Sequence, residues 1–293
     1  MPWQFPLVLN VLITYVANPI AIKKSVGLPG RTPRLVLMFF GNATLAGIFL
    51  ALFPQGFAWD AQMLMAAGVG VANSFACYAH WRAADISLSR TSVLAQGDDM
   101  IALALGYLIL RETQYVDWLI GLGIFLCMGS AIVMSLSKRP KDEAGKTPRA
   151  FIGWVVLYVT LWGVAVFSLR YFGINGMSVP AFLFAWYGGS FVGSLAVAAL
   201  MGKKEREGAL TKRGLLWVLA LCATSLTGLG VSYWAKVLAP ITVVQPILQA
   251  AETILPTLIG LFLFKEAKEF GWRGKFLFAA GFAGSLVLLF AYH

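Results

Sequence analysis

Charge is scarce in this sequence. Asp, Glu, Lys and Arg make up 12% of its 293 residues, about half of what a soluble domain carries. An ordinary water-soluble globule is excluded on that ground. Histidine is scarcer still, with only His80 and His293, and neither has a partner at metal-ligand or catalytic spacing. Cys77, Cys127 and Cys222 each lie inside a long apolar run, so they read as small packing residues and not as a disulfide framework. Gly-x-Ser-x-Gly, His-Glu-x-x-His and the phosphate-binding glycine loop are all missing. No enzyme, cofactor or metal centre is expected, and no ATP-driven step within this chain. The net charge of +10 would suit a nucleic-acid binder. The basic residues, however, are scattered between apolar runs and not gathered on one face, so no nucleic-acid partner is expected.

What the chain has in quantity is apolar sequence: 59% of its residues are hydrophobic and its mean hydropathy is +0.77. A helix that crosses a bilayer needs about 20 apolar residues. Ten runs meet that length, near 4–22, 34–53, 61–81, 89–110, 116–136, 150–170, 178–201, 214–235, 241–264 and 271–292. The N-terminus, MPWQFPLVLN, lacks a basic leader and an obvious cleavage site, so the first run is expected to be retained as a helix. The fold class expected is an all-α integral membrane protein. Its ten transmembrane helices would form two inverted five-helix repeats.

The repeat shows in an ungapped offset of 154. It lays Leu94 on Leu248, Asp98 on Glu252, Gly106 on Gly260, Arg111 on Lys265, Glu112 on Glu266 and Trp118 on Trp272. An offset of 147 lays Tyr15 on Trp162 and Lys23 on Arg170. The halves are 1–137 and 150–293, joined by a basic linker at 138–149. Five helices per half is an odd number, so the halves must enter the membrane in opposite senses, a common transporter architecture. Of the 23 Lys and Arg, 20 fall in the odd-numbered connections. Positive connections stay in the cytoplasm. Both termini are therefore expected on the non-cytoplasmic face of the plasma (inner) membrane.

The chemistry is expected in the fourth and ninth runs. Asp98 and Asp99 interrupt the fourth near its middle, and Glu252 interrupts the ninth. An ionisable side chain at mid-membrane depth must face protein or water. In the ninth run Thr242, Gln245, Gln249 and Glu252 fall on one helix face. In the fourth run Ser92, Gln96 and Asp99 form a similar stripe, with Thr91 and Asp98 beside it. Lys23, Arg82, Arg170 and Lys236 sit at run ends, where their long stems can snorkel to the interface. The central carboxylates are thus left to a proton or an external cation. Tyr15, Trp162 and Tyr233 would wall such a site, since aromatic faces attract an organic ammonium. Asn18, Asn42 and Asn73 are further polar residues inside apolar runs. Glu112 and Glu266 end their helices and read as structural pairing or capping groups. Pro246 and Pro256 are expected to bend the ninth helix. Most of the helix glycines read as close-packing positions.

These features together resemble the drug/metabolite transporter superfamily, in particular its ten-helix EamA-type members. The resemblance covers nearly the whole chain. It is carried by Leu110-Arg111-Glu112 and Phe264-Lys265-Glu266 after the fourth helix of each half, by Trp118 and Trp272, by glycines in the next helix, and by Trp162-Gly163. Helix one departs from it, with Tyr15-Val16-Ala17-Asn18 where Trp-Gly-x-Asn is typical. The family's termini are usually cytoplasmic, the reverse of the charge count. The resemblance implies a central cavity walled mainly by helices one, three, four, six, eight and nine.

The expectation is a secondary transporter of a small cationic or amine-bearing metabolite. Protons or a cation would exchange at Asp98 and Glu252, and Asp99, Gln96, Gln245, Gln249 and Asn18 would assist. A monomer in the bilayer suffices for this. Two other readings stay open. One is an exporter of amino acids or aromatic metabolites whose carboxylates carry only protons. The other, of a different class, is a membrane scaffold or lipid-handling protein.

Overall fold

The computed structural model describes residues 2–18, 20–21, 30–54, 57–86, 94–115, 117–137, 149–201, 211–263 and 272–291. Of the linker expected at 138–149, residues 138–148 lie outside them, as do Thr91, Ser92 and the Phe264-Lys265-Glu266 turn.

The described chain is helical throughout. We number its α-helices α1 (Gln4–Leu12), α2 (Arg31–Leu52), α3 (Ala61–Ile86), α4 (Gly97–Ile109), α5 (Trp118–Ser137), α6 (Arg149–Ile174), α7 (Val179–Leu200), α8 (Lys212–Leu238), α9 (Ile241–Leu263) and α10 (Trp272–Ala291). Each falls within or close to one apolar run. Among the described residues, four segments are long and apolar enough to cross a membrane: Arg31–Leu52, Ala150–Ile174, Val179–Leu200 and Gly214–Leu238. Leu108, Phe125 and Phe290 are 77%, 72% and 72% exposed. An apolar exterior of that kind suits lipid and would be unfavourable in water.

Local sequence sets where several helices begin and end. Asp60 accepts from the Met63 backbone N–H at 2.9 Å, Asp117 from that of Ile120 at 2.8 Å, and Thr211 from that of Gly214 at 3.0 Å. Each is a side-chain oxygen meeting a donor that the first helical turn leaves unpaired. At the far end of α6, Gly176 takes φ 83°. Its N–H bonds to the Gly173 carbonyl, and that of Met177 bonds to Phe172. This is the paired closure that a left-handed glycine gives a helix end.

Two helices depart from the expected form. Helix one continues past α1 as a π-helical turn, Ile13–Ala17, which holds Tyr15. The fourth run is broken by a turn at Ala95 and Gln96, and α4 starts at Gly97. Asp98 and Asp99 therefore lie in a helical first turn and not in mid-helix. The positive end of the helix dipole lowers the cost of a carboxylate there. Helix α9, by contrast, runs as one helix through Pro246 and Pro256.

Small residues set the closest approaches. A Cβ at Gly189 would overlap the Ala67 carbonyl oxygen, and one at Gly70 would overlap that of Trp186. Asn73 donates to Ser190 Oγ at 3.0 Å, and Ser190 passes its own proton to the Gly70 carbonyl at 2.9 Å. The backbones of α3 and α7 thus touch, joined by a short polar bridge. In α5 and α10, a Cβ at Gly284 would lie 2.9 Å from the Gly123 carbonyl. Cys127 Sγ donates to the carbonyl of Gly281 at 3.6 Å, across a separation of 154 residues.

Gly189→Ala must push α3 from α7 and is expected to cost about 1–3 kcal/mol, the usual range for overpacking. Gly188→Ala, which meets nothing within 4 Å, is expected to be neutral. Thermal melting of both variants in detergent checks the contrast.

Candidate functional site

Helices α4 and α9 meet, and polar residues of both lie in the contact. Asp99 is 3% exposed and Gln245 is 3% exposed. Gln245 Nε2 donates to Asp99 Oδ1 at 2.6 Å. Gln249, one turn on, is fully buried at 0%. Glu252, at the end of the stripe, is exposed. It lies within electrostatic reach of Tyr15, Asp98 and Asp99. The carboxylates of the two halves therefore converge, one closed off and one open.

Asp98 is 6% exposed. Its Oδ1 accepts the Asp99 backbone N–H at 2.7 Å and its Oδ2 accepts the Tyr158 hydroxyl at 3.2 Å. Adjacent residues on a helix point about 100° apart. Asp98 accordingly turns to α6 while Asp99 turns to α9. Tyr158 also packs against His80 of α3, the rings tilted by 42° with centroids 4.8 Å apart. Neither ring was expected at the site. The available signal was a single tyrosine in the apolar sixth run.

The approach of α6 to α4 depends on Gly163. A Cβ there would stand 2.8 Å from the Asp98 carbonyl oxygen and 2.7 Å from Ile101 Cβ. The neighbouring Trp162 is half-buried and packs edge-on against Trp186, with centroids 6.5 Å apart. Tyr15 is half-buried and lies within electrostatic reach of the carboxylates. Asn18 accepts from Thr224 Oγ1 at 3.0 Å, tying helix one to α8. Gln96 sits at the turn before α4 and is half-buried.

Two expectations are corrected here. Tyr233 does not wall the site. It is 0% exposed, lies stacked on Phe182 at 4.1 Å and donates its hydroxyl to the Met177 carbonyl at 2.7 Å. It is a core residue because its ring and its hydroxyl are both already satisfied. Nor do Arg170 and Lys236 snorkel outward. Both fold into the protein, Arg170 onto Glu112 and two helix-end carbonyls and Lys236 onto the Ser232 hydroxyl.

Arg170 forms the best-satisfied ion pair among the described residues. Its Nε donates to Glu112 Oε1 at 2.9 Å. Its Nη1 donates to the carbonyls of Lys236 and Val237 at 2.6 and 3.0 Å. These are carbonyls of the last turn of α8, where a cation is favoured. Glu112 Oε2 accepts the backbone N–H and the hydroxyl of Thr242, both at 3.2 Å. An anion there caps the start of α9. One pair thus joins the ends of α4, α6 and α8 to the beginning of α9. Arg111, at φ 56°, makes the turn that brings Glu112 inward, at a cost of about 1–2 kcal/mol for a non-glycine residue.

Lys236 is 1% exposed and donates from Nζ to Ser232 Oγ at 2.9 Å. A cleft lined by Ala58, Asp60, Gln62, Asn175 and Gly176 shares no residue with this polar centre. We place the candidate site at the carboxylates, because buried charge calls for a partner and the cleft holds none.

No family model matches the chain, and no curated protein does. A solved structure described only as "Crystal structure of protein" superposes with a TM-score of 0.69, covering 99% of this chain and 98% of its own, at 12% identity. The likeness is one of fold.

Glu112→Gln and Arg170→Met are each expected to cost about 3–5 kcal/mol, since each strands a buried charge. The double variant is expected to lose less than the sum of the two. Unfolding in detergent measures this, and strictly additive losses would contradict the coupling.

Proposed function

We propose that this protein is a secondary transporter of the drug/metabolite type that exchanges a small organic cation for protons at Asp98 and Glu252. In this reading all ten helices cross the inner membrane as two inverted repeats, with both termini on the non-cytoplasmic face. One observation carries the reading. Two carboxylates, one from each half, converge at the centre, and no basic side chain among the described residues is bonded to either. Removing a charge from water without a partner is expensive. A site built this way favours the arrival of a proton or a cation.

Other features support the reading. The groups around the carboxylates come from helix one (Tyr15), α3 (His80), α4, α6 (Tyr158), α8 (Lys236) and α9. Those are the six helices the family resemblance implies for the cavity wall. Cys127 and Gly281, which the offset of 154 makes equivalents, touch each other, as equivalent residues near a pseudo-two-fold axis would. At mid-membrane depth the exposed side chain of Glu252 must face water and not lipid. It would mark the open mouth of the site, with Asp98 closed behind it. Alternating access would exchange the two states as the halves rock.

Tyr15 and Tyr158 would supply the aromatic wall. Their faces suit an ammonium, and the Tyr158 hydroxyl would hold Asp98 in place.

The test is proton release from purified protein in detergent on addition of phenethylamine, an organic ammonium with an aromatic body, at several pH values. Wild type is expected to release protons. Asp98→Asn and Glu252→Gln are expected to abolish the release, and Asp98→Asn to weaken binding by about 2–5 kcal/mol, the usual cost of truncating a buried charge at a binding site. Both variants are expected to elute as folded monodisperse protein. Full release by both neutral variants would sink the proposal. Tyr158→Phe is expected to lose about 1.5–3 kcal/mol of binding, the worth of a hydrogen bond to a charged group, read from the same titration.

A further inference from the structure

The charges around the site can be paired one by one. Arg170 is taken by Glu112 and by two backbone carbonyls. That leaves Lys236 as the remaining cation beside the carboxylates among the described residues. Its ammonium has three donors, and the one bond it makes is to Ser232 Oγ, a neutral acceptor on its own helix, at 2.9 Å. On the other side, Asp99 Oδ1 is held by Gln245 at 2.6 Å, while Asp99 Oδ2 is buried with no hydrogen-bond partner. The two charges lie within electrostatic reach of each other. Each is thus a buried group with unfilled bonding capacity, and no direct bond joins the two. Arg170 grips the Lys236 carbonyl at 2.6 Å, so the backbone that carries the ammonium is fixed.

We infer that Lys236 is a tethered cation of the central site, which neutralises Asp99 and so leaves Asp98 and Glu252 as the pair that takes an external cation. This goes beyond the transport reading and rests on it only for the role of Asp98 and Glu252. Lys236 sets how many cations the site accepts. With it, Asp99 is already served. Without it, Asp99 becomes a further vacancy for a small ammonium.

The experiment needs no knowledge of the transported solute. Lys236→Ala, Asp99→Asn and the double variant are purified in detergent, and their melting temperatures are read with and without methylammonium, the small probe that replaces the lost ammonium. Lys236→Ala is expected to melt below wild type and to recover when methylammonium is added. The double variant is expected to melt above Lys236→Ala and to ignore methylammonium. Asp98→Asn combined with Lys236→Ala is expected to bring no such recovery. Losses that simply add in the Lys236→Ala/Asp99→Asn variant would overturn the inference. So would a methylammonium response that survives Asp99→Asn. If Lys236→Ala does not fold, Lys236→Met fills the space, and recovery of folded yield on adding Asp99→Asn decides the same point. Failure of phenethylamine to release protons would count against the transport reading alone, because the melting cycle depends only on Asp99 and Lys236.

Discussion

The Glu112–Arg170 pair gathers four chain segments that apolar packing alone would not bring to one point. Its strength lies in its completeness. The guanidinium satisfies two carbonyls at the end of α8, and the carboxylate satisfies two donors at the start of α9. Opposite charges are placed at opposite helix ends, each where the helix dipole favours it. A buried ion pair with its remaining hydrogen-bonding positions filled escapes much of the desolvation cost that makes such pairs unreliable. With this junction fixed, α9 is registered against α4, and the polar stripe of one meets the acidic turn of the other.

Backbone proximity then decides which carboxylate is closed and which is open. Gly163 lets α6 lie directly on the Asp98 turn, and Asp98 is buried there. The offset of 147 that pairs Trp162 with Tyr15 places Val16 opposite Gly163. Valine has a branched side chain where glycine has none, and helix one passes this position as a π-helical turn. Such turns widen a helix locally and often occur at functional sites. Glu252, on the side served by helix one, is exposed.

Much of this was legible in the sequence because membrane constraints are simple. Apolar runs of sufficient length announce helices, and Asp98, Asp99 and Glu252 stand out in such runs. The three-four-three spacing from Thr242 to Glu252 defined one face, and that face is the one that meets α4. Tyr233 misled, because an aromatic with a hydroxyl looks the same in sequence whether it lines a cavity or stacks on Phe182. Tyr158 was missed for the same reason. The break before α4 was hidden too, since Ala95 and Gln96 are compatible with a continuous helix.

The sequence by itself determined the helical class, the approximate helix positions and the identity of the acids that had to be accommodated, because each of these depends on composition and spacing along one chain. Only the tertiary structure decided how the charges are shared out. Arg170 and Lys236 sit at helix ends, where a long side chain can turn outward to the interface or inward to a partner. Lys236 bonds Ser232 on its own helix, whereas Arg170 turns to acceptors brought from segments far off in the chain, Glu112 and the carbonyls of Lys236 and Val237. Those partners exist as neighbours only after the helices have packed.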